Sequence, residues 1–384
     1  MDNVRIGLIG LGNMGLAHAR MLLDGQVAHA TLTAVCDLAR GDDHGFGDAV
    51  QGFTDVDAFL ASQAFDLVII ATPHYFRITQ GIAALEAGYH VLVEKPISVH
   101  KQDCEKLIAA HTDKTKIFAA MFNQRTDPAF LKLRDLIQGG ELGELRRVNW
   151  IITNWFRTES YYQSSAWRAT WKGEGGGVLL NQCPHQIDLL QWMCGMPTTI
   201  RAQAAIGKYH DIEVEDDVTA FFEWLNGATG VFITSTGEAP GTNRLEIVGE
   251  RGRVVLENDQ LTFTRNESAM TEYGATAEGG FDQPDTWNIE IPLSGKGSQH
   301  QGIMQNVVNA IRSGEELISP AAEGIHSVEL ANTMLYAGLT GETVTQPLDS
   351  ATYATFLQKL GDESTHVKKV VEKRFEDMSS SFNK

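Results

Sequence analysis

The run VRIGLIGLGNMGLAHARMLL, residues 4–23, constrains the fold more than any other stretch of the chain. Val4–Ile9 is short and apolar, as a buried strand would be, and Gly10 ends it. Gly15–Leu23 then shows helical spacing through Leu16, Ala19, Met21 and Leu22. Between them Gly10, Gly12 and Gly15 form G-x-G-x-x-G, and each glycine has its own physical reason. The first permits a tight turn, the second lets backbone approach a pyrophosphate, and the third lets helix and strand pack closely. The helix entrance, with Asn13 and Met14, offers phosphate free N–H groups and the positive end of a dipole. A second strand, Thr31–Cys36, places Asp37 about 20 residues beyond the loop, where a carboxylate can accept hydrogen bonds from both hydroxyls of an adenosine ribose. These positions mark an NAD site. Arg40 lies just beyond and could take a 2′-phosphate, so NADP stays open.

The alternation continues. Phe65–Ala71 reads as a third strand, Ile78–Ala87 as a helix closed by Gly88, and His90–Val93 as a fourth strand. Lys101–His111 reads as a helix and Lys116–Met121 as a fifth strand. Strands that are apolar throughout and alternate with helices imply a parallel sheet covered on both faces. The expectation is α/β: an N-terminal Rossmann doubly wound parallel sheet over residues 1–122.

A chain of 384 residues is too long for that sheet alone. Asp127-Pro128 opens a helix with an N-cap and a first-turn proline, and Gly139-Gly140 closes it. The pattern then shifts to longer, partly alternating strands such as LRRVNWIITNWF. Asn226-Gly227 inside Val218–Thr236 signals a hairpin, and Leu245–Val248 with Val254–Glu257 flanks another. Val307–Ile311 and Ala321–Ala337 look helical, while Met270–Gly280 reads as a loop. Residues 123–350 are therefore expected to form an α+β domain with an open, mainly antiparallel sheet. Asp362–Lys384, within a terminal region 351–384, is expected to be a helix with a frayed charged tail.

A net charge of −18 disfavours nucleic acid and anionic membranes as partners. No run approaches the length of a membrane helix, and the N-terminus enters an apolar strand without a basic leader. Cys36, Cys104, Cys183 and Cys194 show no C-x-x-C pair, which fits a reducing, cytoplasmic setting without disulfides.

Ligands bind at the C-terminal edge of a parallel sheet. There the fourth strand ends in Glu94-Lys95-Pro96. An ammonium at that edge can stabilise a developing alkoxide, and partial burial would let it pass a proton. Glu94 can balance its charge, and Pro96 fixes the chain direction. Further on, Asn181 and His185 stand four apart, which puts them on one helix face, and Pro184 between them implies a kink or a late start. His185 is a natural proton carrier near neutral pH.

GLGNMG, ATPHYFR, VEKP and GEGGGVLLNQCPHQIDLLQW, in this order, resemble the Gfo/Idh/MocA oxidoreductases over roughly residues 4–350. The resemblance implies NAD(P)-dependent dehydrogenases of sugars, polyols or inositols, with a Rossmann domain and an open-faced second sheet that commonly makes dimers or tetramers. It implies that Lys95 is catalytic, that its bond to Pro96 is often cis, and that Asn123 lies near the cofactor. Relatives often carry aspartate where this chain has Asn181, which cannot hold that charge but still donates and accepts hydrogen bonds. They usually have asparagine where His74 follows Thr72-Pro73, and a later histidine of that loop appears here as Arg77. His300 occupies a place before a helix that often reaches substrate.

Oxidation of a secondary alcohol needs hydride loss to nicotinamide and proton loss to a base. Either His185 takes the proton with Lys95 nearby, or Lys95 takes it with His185 orienting the substrate. Trp155, Arg157, Tyr161, Tyr162, Trp167, Arg168 and Trp171 crowd one stretch, and aromatic faces with guanidinium donors suit sugars. Trp155, Arg157 and Arg168 join Asn181 and His300 as substrate candidates. Thr72, Pro73, His74, Glu94 and Asn123 join the glycine loop as cofactor candidates. His185, Asp188 and Glu329 show no metal spacing, so no metal is expected. Two rival activities share these features: glycoside cleavage through a transient keto-sugar, and non-catalytic cofactor sensing. The ribose contact has a direct test. Asp37→Ala should weaken NAD binding and shift the cofactor ratio toward NADP in fluorescence titrations; an unchanged ratio would remove Asp37 from that role.

Overall fold

The computed structural model describes residues 3–41 and 43–371. β1 (Val4–Ile9), α1 (Asn13–Leu23), β2 (Ala30–Cys36), β3 (Gln51–Phe53), α2 (Val56–Ala61), β4 (Leu67–Ile70), α3 (Phe76–Glu86), β5 (His90–Val93), α4 (Lys101–Ala110) and β6 (Phe118–Ala120) follow in turn. The strands form a parallel six-stranded sheet in the order β3-β2-β1-β4-β5-β6. The order reverses between β1 and β4, which opens a crevice at their C-terminal ends. β3 and α2 have no counterpart in the expected elements. Neither has a long apolar run, and α2 is started by a cap, the Asp55 carboxylate accepting from the Ala58 N–H at 2.8 Å.

One face of this sheet packs on α3 and α4 through Ile78, Ala84, Leu85, Cys104 and Leu107. The other face packs on α1 and on Ile303, Met304, Val307 and Val308, far along the chain. Each of those four is at most 1% exposed, worth roughly 1.5–3 kcal/mol apiece on burial. Part of that second face is thus covered by residues beyond 300.

After β6 a 3₁₀ turn, Asn123–Thr126, leads into α5 (Pro128–Gln138) and β7 (Leu145–Ile152). Then come α6 (Glu159–Tyr162), α7 (Pro184–Cys194), β8 (Thr199–Ile206), β9 (Glu215–Glu223), β10 (Thr229–Ser235), β11 (Asn243–Gly249), β12 (Gly252–Glu257), β13 (Gln260–Asn266), α8 (Met270–Thr276) and β14 (Thr286–Ile291). α9 (Gln299–Ser313), α10 (Gly324–Thr340), β15 (Val344–Thr345) and α11 (Ser350–Glu363) complete the described elements. The second sheet has nine strands in the order β14-β13-β12-β11-β7-β10-β9-β8-β15, antiparallel except where β7 meets β10. Alternation along β9 and β10 sends Ala220, Phe222 and Phe232 into a core shared with α7 and α10.

Several expectations change. The strand in LRRVNWIITNWF ends at Ile152, so Trp155 and Arg157 stand on the loop beyond. Met270–Thr276 is a helix on the surface rather than loop. α9 begins earlier than the apolar cluster at Val307, so His300 lies in its first turn. The terminal helix is Ser350–Glu363, and residues 364–371 are not helical; residues 372–384, where the rest of the expected helix and tail fall, lie outside the described residues. Among the described residues no helix is long and apolar enough to cross a membrane, the four cysteines are free, and no cluster of three His, Cys, Asp or Glu could hold a metal.

Candidate active site

The glycine loop occupies the crevice as a cradle. Gly10 has φ +95°, a region that favours glycine. A Cβ on Gly15 would lie 1.8 Å from the Gly10 carbonyl oxygen, so the helix can sit this close to the strand only without one. A Cβ on Gly12 would meet nothing within 4 Å, which leaves room over the loop. Gly12 is the N-cap of α1 without a side-chain cap, and the first turn, entered at Asn13 and Met14, has no acid to compete for its N–H groups. An anionic dinucleotide such as NAD fits this donor set.

Asp37 stands beside the loop but is already occupied in part. Its Oδ2 accepts from the Leu11 N–H at 2.7 Å, and its Oδ1 accepts from the N–H groups of Ala39 and Arg40. A carboxylate offers about four acceptor sites. The three bonds orient the carboxylate beside the loop and leave acceptor capacity for a ribose hydroxyl. Thr72 donates to Gln80 at 2.6 Å, Pro73 turns the chain into α3, and His74 is buried with Nδ1 3.1 Å from the Glu174 carbonyl oxygen. That pins His74 to the second domain.

At the end of β5 the Lys95–Pro96 bond is cis. Glu94 is buried, and its Oε1 lies 2.7 Å from His18 Nε2 while Oε2 accepts from the Lys95 backbone N–H. Its hydrogen bonds therefore run to His18 and to backbone, not to the Lys95 ammonium. His18, on the buried face of α1, thereby joins the candidate site, and apolar periodicity hides it. Burial would push the Glu94 carboxyl up, but the hydrogen bond with His18 and the neighbouring Arg77 hold it well below the usual range. The Arg77 guanidinium, itself buried, donates to the carbonyls of Thr72, Glu94 and Pro96 and so fastens the backbone on either side of Lys95.

Lys95 Nζ donates to the Asn181 carbonyl oxygen at 3.2 Å, joining the two domains. Burial pushes its ammonium down to about 8, with Glu94 opposing and Arg77 assisting. α7 starts only at Pro184, because proline suits the first helical turn. Asn181 therefore precedes the helix and does not share a helix face with His185. The His185 ring is buried, with Nδ1 lacking a protein partner, and stands edge-on to Phe122. Burial and the nearby Lys95 hold it well below the ordinary histidine range, so it is neutral at neutral pH. Asp188 is engaged elsewhere, by Arg125. Burial also pushes His300 down, to about 4, and its ring lies 5.7 Å from that of His18. Asn123 donates to Gln299 at the start of α9 and keeps a buried, unpartnered Oδ1.

The Asn181 side chain sits in a network. Its amide donates to Glu174, and its Oδ1 accepts from the Tyr161 hydroxyl at 3.2 Å. Arg168 donates to that hydroxyl at 2.6 Å and lies over the rings of Tyr161 and Trp167. Arg157 lies over Trp155 and Tyr161. Trp155 Nε1 and Arg168 Nε are buried without a protein partner. Tyr162 and Trp171, by contrast, belong to the core of the second domain. Glu174 is 1% exposed, an acid inside the glycine-rich motif whose position alone could have marked it.

Residues 4–122 match the family model of an oxidoreductase family with an NAD-binding Rossmann fold, and residues 130–255 match that of the GFO/IDH/MocA C-terminal domain. The chain belongs to the Gfo/Idh/MocA family. Inositol 2-dehydrogenase from Rhizobium meliloti is 24% identical over 338 residues, covering 86% of this chain and 95% of that enzyme. Levoglucosan dehydrogenase from Pseudarthrobacter phenanthrenivorans is 24% identical over 300 residues, covering 68% and 75%. The WlbA dehydrogenase from Chromobacterium violaceum, solved with NADH and UDP-GlcNAcA, superposes with a TM-score of 0.78 at 28% identity over 91% of this chain and 97% of that one.

In this Gfo/Idh/MocA chain the two close glycines separate by experiment. Gly15→Ala should lower stability by about 1–3 kcal/mol in urea melts. Gly12→Ala should melt like the parent and lose NAD binding in calorimetric titration. Parental stability in the first variant, or parental binding in the second, would contradict the cradle.

Proposed function

We propose that this protein is a dehydrogenase that transfers hydride between NAD, or NADP, and a secondary alcohol of a sugar, polyol or cyclitol. The observation that carries the reading is Lys95: an ammonium lowered to about 8, at the C-terminal edge of the Rossmann sheet, bonded to the segment that leads into His185. Gly10, Gly12, Asn13, Met14, Gly15, Asp37, Arg40, Thr72, Pro73, Glu94 and Asn123 hold the cofactor. NAD, when bound, supplies the hydride acceptor. Lys95 takes the hydroxyl proton, because about a tenth of it is already the free amine one unit below its pKa. His185 stays neutral and orients the hydroxyl through its unpartnered nitrogen. Asn181, Trp155, Arg157, Arg168 and His300 contact the substrate, whose apolar C–H faces suit the indoles and whose hydroxyls suit the buried N–H donors.

Lys95→Ala should cut turnover by about 10²–10⁴ while NAD affinity, read by fluorescence, stays near the parent's. In the parent, kcat/KM for alcohol oxidation should rise with pH and level off above about 8, since the free amine is the active form. A flat profile, or parental turnover in the variant, would reject Lys95 as the base. The screen uses inositols, polyols, aldoses and glycosides with NADH absorbance and products followed together. Cleaved glycoside without NADH would move the reading to the transient keto-sugar reaction.

The same reading extends to assembly. The outer face of the second sheet carries Phe221, Val231, Ile233, Ile151, Val248 and Val255, partly or fully exposed on adjacent strands. Phe221, Val231, Ile233 and Ile151 form one apolar patch across β9, β10 and β7, while Arg147, Asn149 and Glu246 separate it from Val248 and Val255, and such a patch is a liability unless covered. The expected species in light scattering is a homodimer or homotetramer; a monomer at micromolar concentration would overturn this.

A further inference from the structure

We propose that Glu174 is a positioning residue for proton transfer: its buried carboxylate holds the Asn181 amide and supplies, from outside position 181, the negative charge that balances a protonated Lys95. This rests on reading Lys95 as the acid–base group. Glu174 is sealed from water, yet both of its oxygens meet donors: the Asn181 Nδ2 amide on Oε1, and the Ala169 N–H at 2.6 Å on Oε2. Two N–H donors and no hydrogen-bond acceptor for its own proton suit the ionised form.

The contact also has a direction. A carboxylate accepts only, so the amide must turn its nitrogen toward Glu174 and its Oδ1 toward the Tyr161 hydroxyl. The backbone carbonyl of the same residue receives Lys95 Nζ. Glu174 thus fixes one end of a residue whose other end holds the lysine. Its own backbone carbonyl is bonded to His74, and its N–H donates to the Thr170 carbonyl at 2.9 Å, so the backbone that carries it is held from both sides.

Lys95 is faced by Glu94 on its own segment, Arg77 from α3, His74 from the loop before α3, Glu174 and Cys183 from the segment before α7, His185 from α7 and His300 from α9. Glu174 in turn is faced by Arg168, Arg77, Lys368, Tyr162 and Glu215. Of the groups facing Lys95, Glu94 is already paired with His18. Glu174 is the acid that also bonds the residue holding the ammonium.

The test reads Lys95 itself, independent of turnover. The full-length protein is labelled with acetic anhydride across pH 6–11, and Lys95 acetylation is followed by peptide mass spectrometry. In Glu174→Gln the midpoint should fall by about one pH unit. Glu174→Asp should keep it near the parent value. The exchange Glu174→Gln with Asn181→Asp returns a carboxylate from the other side and should restore it. A parental midpoint in a Glu174→Gln protein of parental melting temperature overturns the proposal. If that variant does not fold, the exchange protein is decisive, and a midpoint well below the parent's overturns it. With an alcohol found in the screen, Glu174→Gln should lose about tenfold or more in plateau kcat with KM little changed, and its rising pH limb should move down. Failure of every alcohol would sink the dehydrogenase reading while leaving the labelling result to stand or fall alone.

Discussion

Arg125 donates two near-parallel hydrogen bonds to Asp188, at 2.8 and 2.7 Å, with both side chains out of water. It also pairs with Glu323, just before α10. The guanidinium belongs to the 3₁₀ turn that leaves the parallel sheet, and the carboxylate to α7, one turn past His185. A buried pair of this type contributes little net stability over an apolar substitute, but removing one partner costs about 3–5 kcal/mol. An exposed pair such as Lys172 with Asp362 is screened by solvent and fixes nothing. The Arg125 pair therefore acts on registry: it sets where α7 stands relative to the end of β5, and so where His185 stands relative to Lys95.

The chemistry of the site follows from burial more than from net charge. The chain carries −18 overall, yet burial is the largest influence on Lys95, His185, His300 and Glu174 alike. Burial acts with opposite sign on the two kinds of group, lowering the bases and raising the acid. Uncompensated, it would leave a neutral lysine that binds no alkoxide. Glu94 and Glu174 oppose that, and Lys95 settles at about 8, where it can both hold and release a proton.

The Rossmann half was legible because its strands are mostly buried on both faces and read as nearly continuous apolar runs, and because the glycine loop stands between a strand and a helix. Lys95 was legible from its place at a strand end. Asn181 and His185 were misread as helical neighbours because spacing counts residues, while the helix begins only where Pro184 permits it. β3 and α2 escaped because short, half-exposed elements leave no periodicity to find. α9 escaped as a cover for the first sheet because pairing between distant segments leaves no local trace. His18 and Glu174 escaped for a related reason. Each is a polar residue buried by a hydrogen bond that periodicity does not report: His18 with Glu94, far away in sequence, and Glu174 with Ala169 and Asn181, close by in the irregular segment before α7.

Bonds between the two domains recur along the seam. His74 meets the Glu174 carbonyl, Tyr75 donates to the Trp171 carbonyl at 2.9 Å, and Lys95 reaches Asn181. Asn332 bonds Val99 and Lys101, and Lys101 pairs with Glu329 at 2.6 Å. These partners are mostly buried, so opening the seam would strand several polar groups at about 1–3 kcal/mol each. α9 adds an apolar link in the same direction. The two domains thus behave as one packed unit, and the lysine and histidine are brought together by the fold before any ligand arrives. Under the reading proposed above, groups held in place beforehand would need no reorganisation as charge develops on a substrate oxygen.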